Sequence, residues 1–147
     1  MFYFRVPGFY GSDTPMADTK KDLVTQWIER SDYDADAAHA MLKSGHLLYV
    51  AFLCQQAVEK MLKATWCHLK NDAPPYTHNL ATLAESLGIA ISEQQHLLLE
   101  RLNRYYIVGR YPTFKQRLAS ALTKSDASEM LANTGEFLQW CKKSIPT

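Results

Sequence analysis

Apolar positions recur at three- and four-residue steps along most of the chain after residue 18, which is typical of amphipathic helices. The first stripe begins at Val24 and ends at Leu42, and its second half consists of small side chains that permit close helix packing. Thr19 followed by Asp22 marks a helix start, and Gly45 marks its end. The pattern predicts a first long helix between these signals.

A second helix is predicted from about Leu47 to Lys70. Its first half is apolar on every side, which indicates burial all round, whereas its second half is amphipathic. A run of this composition is also compatible with a strand, but the amphipathic continuation favours a helix. A loop follows, because residues 71–77 contain an aspartate and two prolines.

Three further helices follow this loop. Thr77 is the predicted cap of a short helix that Gly88 ends, and Ser92 begins a fourth helix that reaches about Ile107. Gly109 and Pro112 are expected to break that helix.

The last helix is predicted to begin at a cap on Ser125 and to end near Lys143. No alternating strand pattern competes anywhere in the chain. The sequence therefore predicts an all-α fold, an antiparallel up-and-down bundle of four to five helices.

Residues 1–17 differ from the rest in composition, since aromatic side chains crowd the first ten positions. They lack the basic start and continuous apolar stretch of a signal peptide. We interpret them as an N-terminal aromatic extension, either a leader or an arm that contacts another subunit, and residues 18–147 as a single domain. Met16 offers an alternative start.

Overall charge excludes bulk electrostatics as a basis for nucleic-acid or membrane binding. The 147 residues carry 16 basic and 15 acidic side chains, a net charge of +1. No apolar run approaches the ~20 residues that span a bilayer, so we expect no membrane association. Three cysteines without a CxxC pair favour a reducing compartment, and we expect a cytoplasmic protein.

Charge is nevertheless unevenly distributed along the chain. Residues 100–124 hold six basic side chains and one acidic one, whereas residues 18–36 hold six acidic side chains and three basic ones. The basic segment also contains Tyr105, Tyr106 and Tyr111, and cations that alternate with aromatic rings suit phosphates and bases. Alternatively, the basic segment meets the acidic one within the chain or across a dimer.

A polar arc lies opposite the apolar stripe of the second helix. On a helical wheel five side chains fall in this arc, namely Gln55, Gln56, Glu59, Lys60 and Lys63. One interpretation is a solvated face, stabilised by the pair of Glu59 and Lys63 at four-residue spacing. The other is a functional site.

Three motifs in this order resemble the HEPN domain family. They are QQAVEKMLKA from residue 55, THNL from residue 77 and GRYP from residue 109, and the resemblance covers about residues 22–143. The family implies a bundle of four or five helices that is commonly a homodimer, with a nucleotide or RNA as ligand. It also implies a small nucleotidyltransferase as partner in a toxin–antitoxin-like pair.

The resemblance also points to six site residues in this chain. Arg110 and Lys63 would bind phosphate, Tyr111 would stack, and Glu59 and His78 would orient those groups. Gln56 completes the set. The proline that follows Tyr111 would rigidify the turn that presents the guanidinium.

One feature of the catalytic HEPN ribonucleases is missing. They resemble one another in an arginine followed four to six residues later by a histidine, and here the last histidine, His96, precedes Arg101. Metal-independent RNA cleavage needs an acid and a base, so we predict a non-catalytic member. We also expect no cofactor and no metal ion, because the acid-x-x-His spacings at Asp36 and Glu93 lie off the apolar stripes of their helices. The alternatives are a protein-interaction module whose polar residues form an inter-subunit network, and a degenerate ribonuclease that uses Lys63 and Glu59.

Overall fold

The computed structural model describes residues 19–70, 72–106 and 112–145, with the backbone alone at 112–115 and 118. These ranges contain helices and no strand, which confirms the all-α prediction. The proposed aromatic extension lies outside the described residues. The six described helices are α1 (Lys20–Ser44), α2 (Leu47–Leu69), α3 (Leu80–Leu87), α4 (Glu93–Asn103), α5 (Pro112–Ala121) and α6 (Lys124–Lys143).

Helices α1 and α2 form an antiparallel hairpin. Gly45 ends α1 in the left-handed conformation, with φ of 80°, and its backbone N–H donates to the carbonyl of Leu42. Two contacts then set the direction of the pair, because Ser31 on α1 lies against Ala57 while Trp27, one turn earlier, lies against Lys63. The residue numbers of the contacts on α2 fall as those on α1 rise, so the two helices are antiparallel.

Helix α2 is the centre of the bundle. It contacts each of the other five helices, and its apolar side chains are fully buried over most of its length. Because other helices surround it, both the apolar and the polar side chains of residues 54–65 lie inside the protein. No helix within the described ranges is both long and apolar enough to cross a bilayer.

The buried side chains of the last helix, α6, lie on one face at three- and four-residue steps. Its buried residues are Ala127, Met130, Leu131, Thr134, Phe137, Leu138 and Cys141. The predicted cap on Ser125 is wrong, because Thr123 accepts the backbone N–H of Asp126 in a capping box that begins the helix earlier. The N-terminal capping box of α1 on Thr19 and that of α4 on Ser92 are confirmed.

Three other boundaries differ from the prediction. The cap of α3 is Asn79 rather than Thr77, since the Asn79 side chain accepts the backbone N–H of Thr82. A short helix, α5, begins at Pro112, where a helix break was expected. Proline is favoured at the first position of a helix, where its missing N–H would have no intrahelical partner in any case. Helix α4 ends at Asn103, four residues before the predicted end.

Candidate functional site

The polar arc of α2 is buried. Its five side chains, Gln55, Gln56, Glu59, Lys60 and Lys63, are each at most 5% exposed. The interpretation of the arc as a solvated face is therefore wrong. A helical wheel separates the two sides of a helix, but it does not show whether other elements cover the polar side.

Glu59 is the centre of a hydrogen-bond network within the chain. Its Oε1 accepts from Nε2 of Gln55 at 3.1 Å, and its Oε2 accepts from Nζ of Lys63 at 3.1 Å. Nδ1 of His78 lies 3.1 Å from Oε1 and 3.2 Å from Oε2. The buried carboxylate thus has partners at both oxygens, as a buried charge requires.

Gln55 connects this network to the loop before α3. Besides Glu59, its Nε2 donates to the backbone carbonyl of His78 at 3.3 Å. Its Oε1 accepts from Nε2 of Gln56 at 2.7 Å, so the orientation of the amide is fixed from both ends. Gln55 therefore binds both the Glu59 carboxylate and the backbone of His78.

The two lysines of the arc are paired with carboxylates and lie against α1. Lys60 forms an ion pair with Asp34, while Lys63 pairs with Glu59 and lies 5.6 Å from the centre of the Trp27 ring. The Lys63 side chain is only 6% exposed. Its ammonium thus supports Glu59 from inside the bundle rather than facing solvent.

His78 brings the network to the surface. Its ring stacks on Tyr106, with centroids 4.2 Å apart and an interplanar angle of 16°, and meets the edge of the exposed Tyr76 at 6.4 Å. A third of the His78 side chain is exposed. A buried carboxylate and a stacked tyrosine therefore fix an accessible imidazole in place.

Two asparagines join the start of α3 to the end of α4. Oδ1 of Asn103 accepts the backbone N–H of Leu80 at 2.9 Å, and Nδ2 of Asn103 donates to Oδ1 of Asn79 at 3.3 Å. Asn79 directly follows His78, and Asn103 lies three residues before Tyr106. The pair thus joins the two chain segments that carry the stacked rings of His78 and Tyr106.

Four of the six predicted site residues meet here: Gln56, Glu59, Lys63 and His78 belong to one network. The other two, Arg110 and Tyr111, lie outside the described residues. Sequence reasoning did not assign Gln55, Asn103 or Tyr106 to the site. Two of them had a sequence feature that could have identified them, since Gln55 belongs to the polar arc and Tyr106 to the basic segment. No pattern in the sequence marks Asn103 as a site residue.

The basic and acidic segments do not neutralise each other within the described ranges. Arg101 binds Glu129 of α6 at 3.2 Å, and the acidic segment instead pairs Asp32 with Lys142 and Asp34 with Lys60. Among the described side chains of the basic segment, the exposed Arg104 has no carboxylate partner and lies two residues from Tyr106.

Other chemistry is weakly represented in the described part of the chain. It contains no group of three or more metal-ligating side chains, and burial raises the pKa of the Cys67 thiol, which disfavours the reactive thiolate. An open cleft of about 640 Å³ lies between α4 and α6, beside Leu97 and Trp140, and contains none of the network residues.

Comparison with known proteins agrees with this architecture. The family model of the HEPN domain matches residues 24–144. The chain belongs to the HEPN domain family. The Glu59 network thus lies within this HEPN domain. No curated protein matches the chain significantly.

A solved structure also resembles this HEPN domain. The crystal structure of TT1696 from Thermus thermophilus superimposes with a TM-score of 0.69 at 24% sequence identity. The match covers 82% of this chain and 96% of that one. At this identity the likeness supports the fold of the HEPN domain alone.

Proposed function

We propose that this HEPN domain binds a nucleotide or a segment of RNA at the surface formed by His78, Tyr106 and the basic segment. The observation that carries the proposal is the accessible imidazole of His78, which a buried carboxylate and a stacked tyrosine hold in one orientation. Such fixed polar and aromatic groups are what a binding site needs to recognise a planar, hydroxyl-bearing ligand.

The charge next to this surface suits phosphate. Arg104 is exposed on the turn that carries Tyr106, and among the described residues no carboxylate neutralises it. Arg110 and Tyr111 follow Tyr106 by four and five residues, so the covalent chain keeps them within about 18 Å of it. In this proposal Arg110 binds phosphate and Tyr111 stacks on a base.

The buried residues have supporting roles in this proposal. Lys63 neutralises Glu59 from inside the bundle, and Glu59 orients His78, while Gln56 holds the Gln55 amide. Lys63 thus does not bind phosphate directly, as the sequence suggested, but contributes to ligand binding only through the position of His78.

Calorimetric titration of ATP, GTP and a short single-stranded RNA tests the proposal, at low and at moderate salt. We expect saturable binding by the wild type that weakens with salt and is lost in Arg110→Ala. Lys21→Ala is the control, because it removes one positive charge from the exposed start of α1. Flat titrations for all three ligands, or an equal loss in Lys21→Ala, would refute the proposal.

A second candidate function is a protein-interaction module. The burial of the polar arc favours it, since side chains at most 5% exposed stabilise the bundle whether or not a ligand binds. In this case the same residues serve protein contacts rather than a ligand. Family membership suggests a homodimer and a small nucleotidyltransferase partner in a toxin–antitoxin-like system for either function. Arg110→Ala would then alter the mass of the complex in light scattering and leave nucleotide titrations flat in every variant.

A further inference from the structure

The proton position on the His78 imidazole follows from its contacts. Nδ1 lies within 3.2 Å of both oxygens of Glu59, and one of these oxygens already accepts from the Lys63 ammonium. An ionised carboxylate only accepts hydrogen bonds, so Nδ1 must carry the hydrogen. The bond made at one ring nitrogen determines the state of the other.

The other ring nitrogen, Nε2, has no hydrogen-bond partner among the described residues. It is not among the fully buried side-chain atoms that lack a partner, so part of its surface is exposed. In the neutral ring this atom carries a lone pair and no hydrogen. The surface therefore presents a hydrogen-bond acceptor at His78, held in place by Tyr106 and by Gln55 on the backbone carbonyl.

We propose that Nε2 of His78 accepts a hydrogen bond from an O–H or N–H group of the nucleoside part of the ligand, and does not bind its phosphate. This inference rests on the proposed function and specifies its ligand. A ribose hydroxyl and the amino group of a base share the required donor chemistry. An ionised phosphate offers only acceptor oxygens, which the lone pair of a neutral imidazole disfavours.

Magnetic resonance of the wild-type protein tests the first half of the inference. Long-range correlation of imidazole nitrogens with ring protons, recorded near pH 8.5 where imidazoles are ordinarily neutral, identifies the protonated nitrogen. His96 is an internal control, because its Nε2 lies 3.1 Å from Glu100 and the same reasoning predicts the opposite tautomer. If the spectra show a neutral His78 with its hydrogen on Nε2, the inference is wrong. This result requires no ligand.

Titration with matched ligands tests the second half. ATP is compared with its 2′,3′-dideoxy analogue, with purine riboside triphosphate, which lacks the amino group, and with inorganic triphosphate. We expect at least one nucleotide analogue to bind about tenfold more weakly than ATP, the usual effect of one lost hydrogen bond. Loss with the dideoxy analogue identifies a hydroxyl, and loss with purine riboside triphosphate identifies the amino group.

The variant His78→Phe keeps a ring to stack on Tyr106 but removes both ring nitrogens, that is, Nε2 and the Nδ1 that contacts Glu59. We expect this variant to bind ATP as weakly as the wild type binds the analogue that lacks the donor group. The variant and the wild type should bind that analogue with equal affinity. If ATP, both nucleotide analogues and inorganic triphosphate bind the wild type equally, this inference fails while phosphate binding stands. If none of them binds, the proposed function itself fails, and the tautomer is still decided by the spectra.

Discussion

Glu59 and His78 are nineteen residues apart in the chain, yet Nδ1 of the histidine lies 3.1 and 3.2 Å from the two carboxylate oxygens. This contact ties the centre of α2 to the loop that precedes α3. Because Glu59 is 1% exposed while a third of the His78 side chain is exposed, the pair links the interior of the HEPN domain to its surface. The stability of the bundle and the orientation of the exposed imidazole consequently depend on the same carboxylate.

The first prediction concerns the charge of Glu59. In Glu59→Gln the Lys63 ammonium loses the buried carboxylate with which it pairs, so we expect the free energy of unfolding to fall by about 3 kcal/mol. Urea denaturation measures this loss. The double variant Glu59→Gln with Lys63→Met removes both charges and should recover much of the stability. A loss below about 1 kcal/mol in Glu59→Gln would show that the ion pair is not buried in solution.

The second prediction compares two aspartates on α1 that each pair with a lysine of another helix. The Asp34 side chain is 14% exposed and its partner Lys60 is 7% exposed, whereas Asp32 and Lys142 are 46% and 30% exposed. We expect Asp34→Asn to lower the free energy of unfolding by about 2–4 kcal/mol, because the buried Lys60 ammonium then loses the carboxylate with which it pairs. Asp32→Asn is the matched control and should cost less than about 1 kcal/mol. Equal losses in the two variants would contradict this assignment.

Most of the fold was predictable because its signals are local. The capping boxes at Thr19 and Ser92 and the glycine at position 45 lie at the ends of periodic stripes, where backbone groups need partners. The missed cap on Thr123 has the same chemistry, with Asp126 three residues later, but Ser125 offered a competing signal nearby. A helix break was predicted at Pro112, whereas α5 begins there, because a proline that cannot continue one helix is favoured at the first position of the next.

The site was predictable only in part, because it is built from long-range contacts. The resemblance to the family named Glu59 and His78, but no periodicity predicts that residues nineteen positions apart meet. The burial of the polar arc depends on α1 and on the loop before α3, which pair with it through Asp34 and His78. Such coverage is a property of the packed bundle and not of the α2 sequence.

The third prediction concerns the asparagine pair that joins α3 to α4. In Asn103→Ala the backbone N–H of the buried Leu80 loses its acceptor, so we expect the free energy of unfolding to fall by about 1–2 kcal/mol. Hydrogen exchange at the Leu80 amide should accelerate, and the ring protons of His78 should shift as Tyr106 moves. Asn133→Ala on the exposed side of α6 is the control and should change none of these quantities. An unchanged exchange rate at Leu80 would contradict the role of Asn103.

The fourth prediction concerns the dependence of stability on alkaline pH. Burial raises the pKa of Cys54 to about 11 and that of Cys141 to about 12, against the ordinary value of 9.0 for an exposed thiol. Above pH 9 the unfolded chain loses these protons while the folded chain keeps them, so the stability they contribute falls as pH rises from 9 towards 11 and 12.

Urea denaturation at several pH values between about 8 and 10.5 measures this fall, which approaches about 1.4 kcal/mol per pH unit for each thiol. Other groups titrate in the same range, so each variant Cys54→Ala and Cys141→Ala is compared with the wild type at every pH. We expect each variant to be less stable than the wild type at the lowest pH and to lose less stability on the alkaline side, because it has one fewer thiol to ionise on unfolding. Parallel curves for the wild type and both variants would show that the thiols ionise as readily in the folded protein as in the unfolded chain.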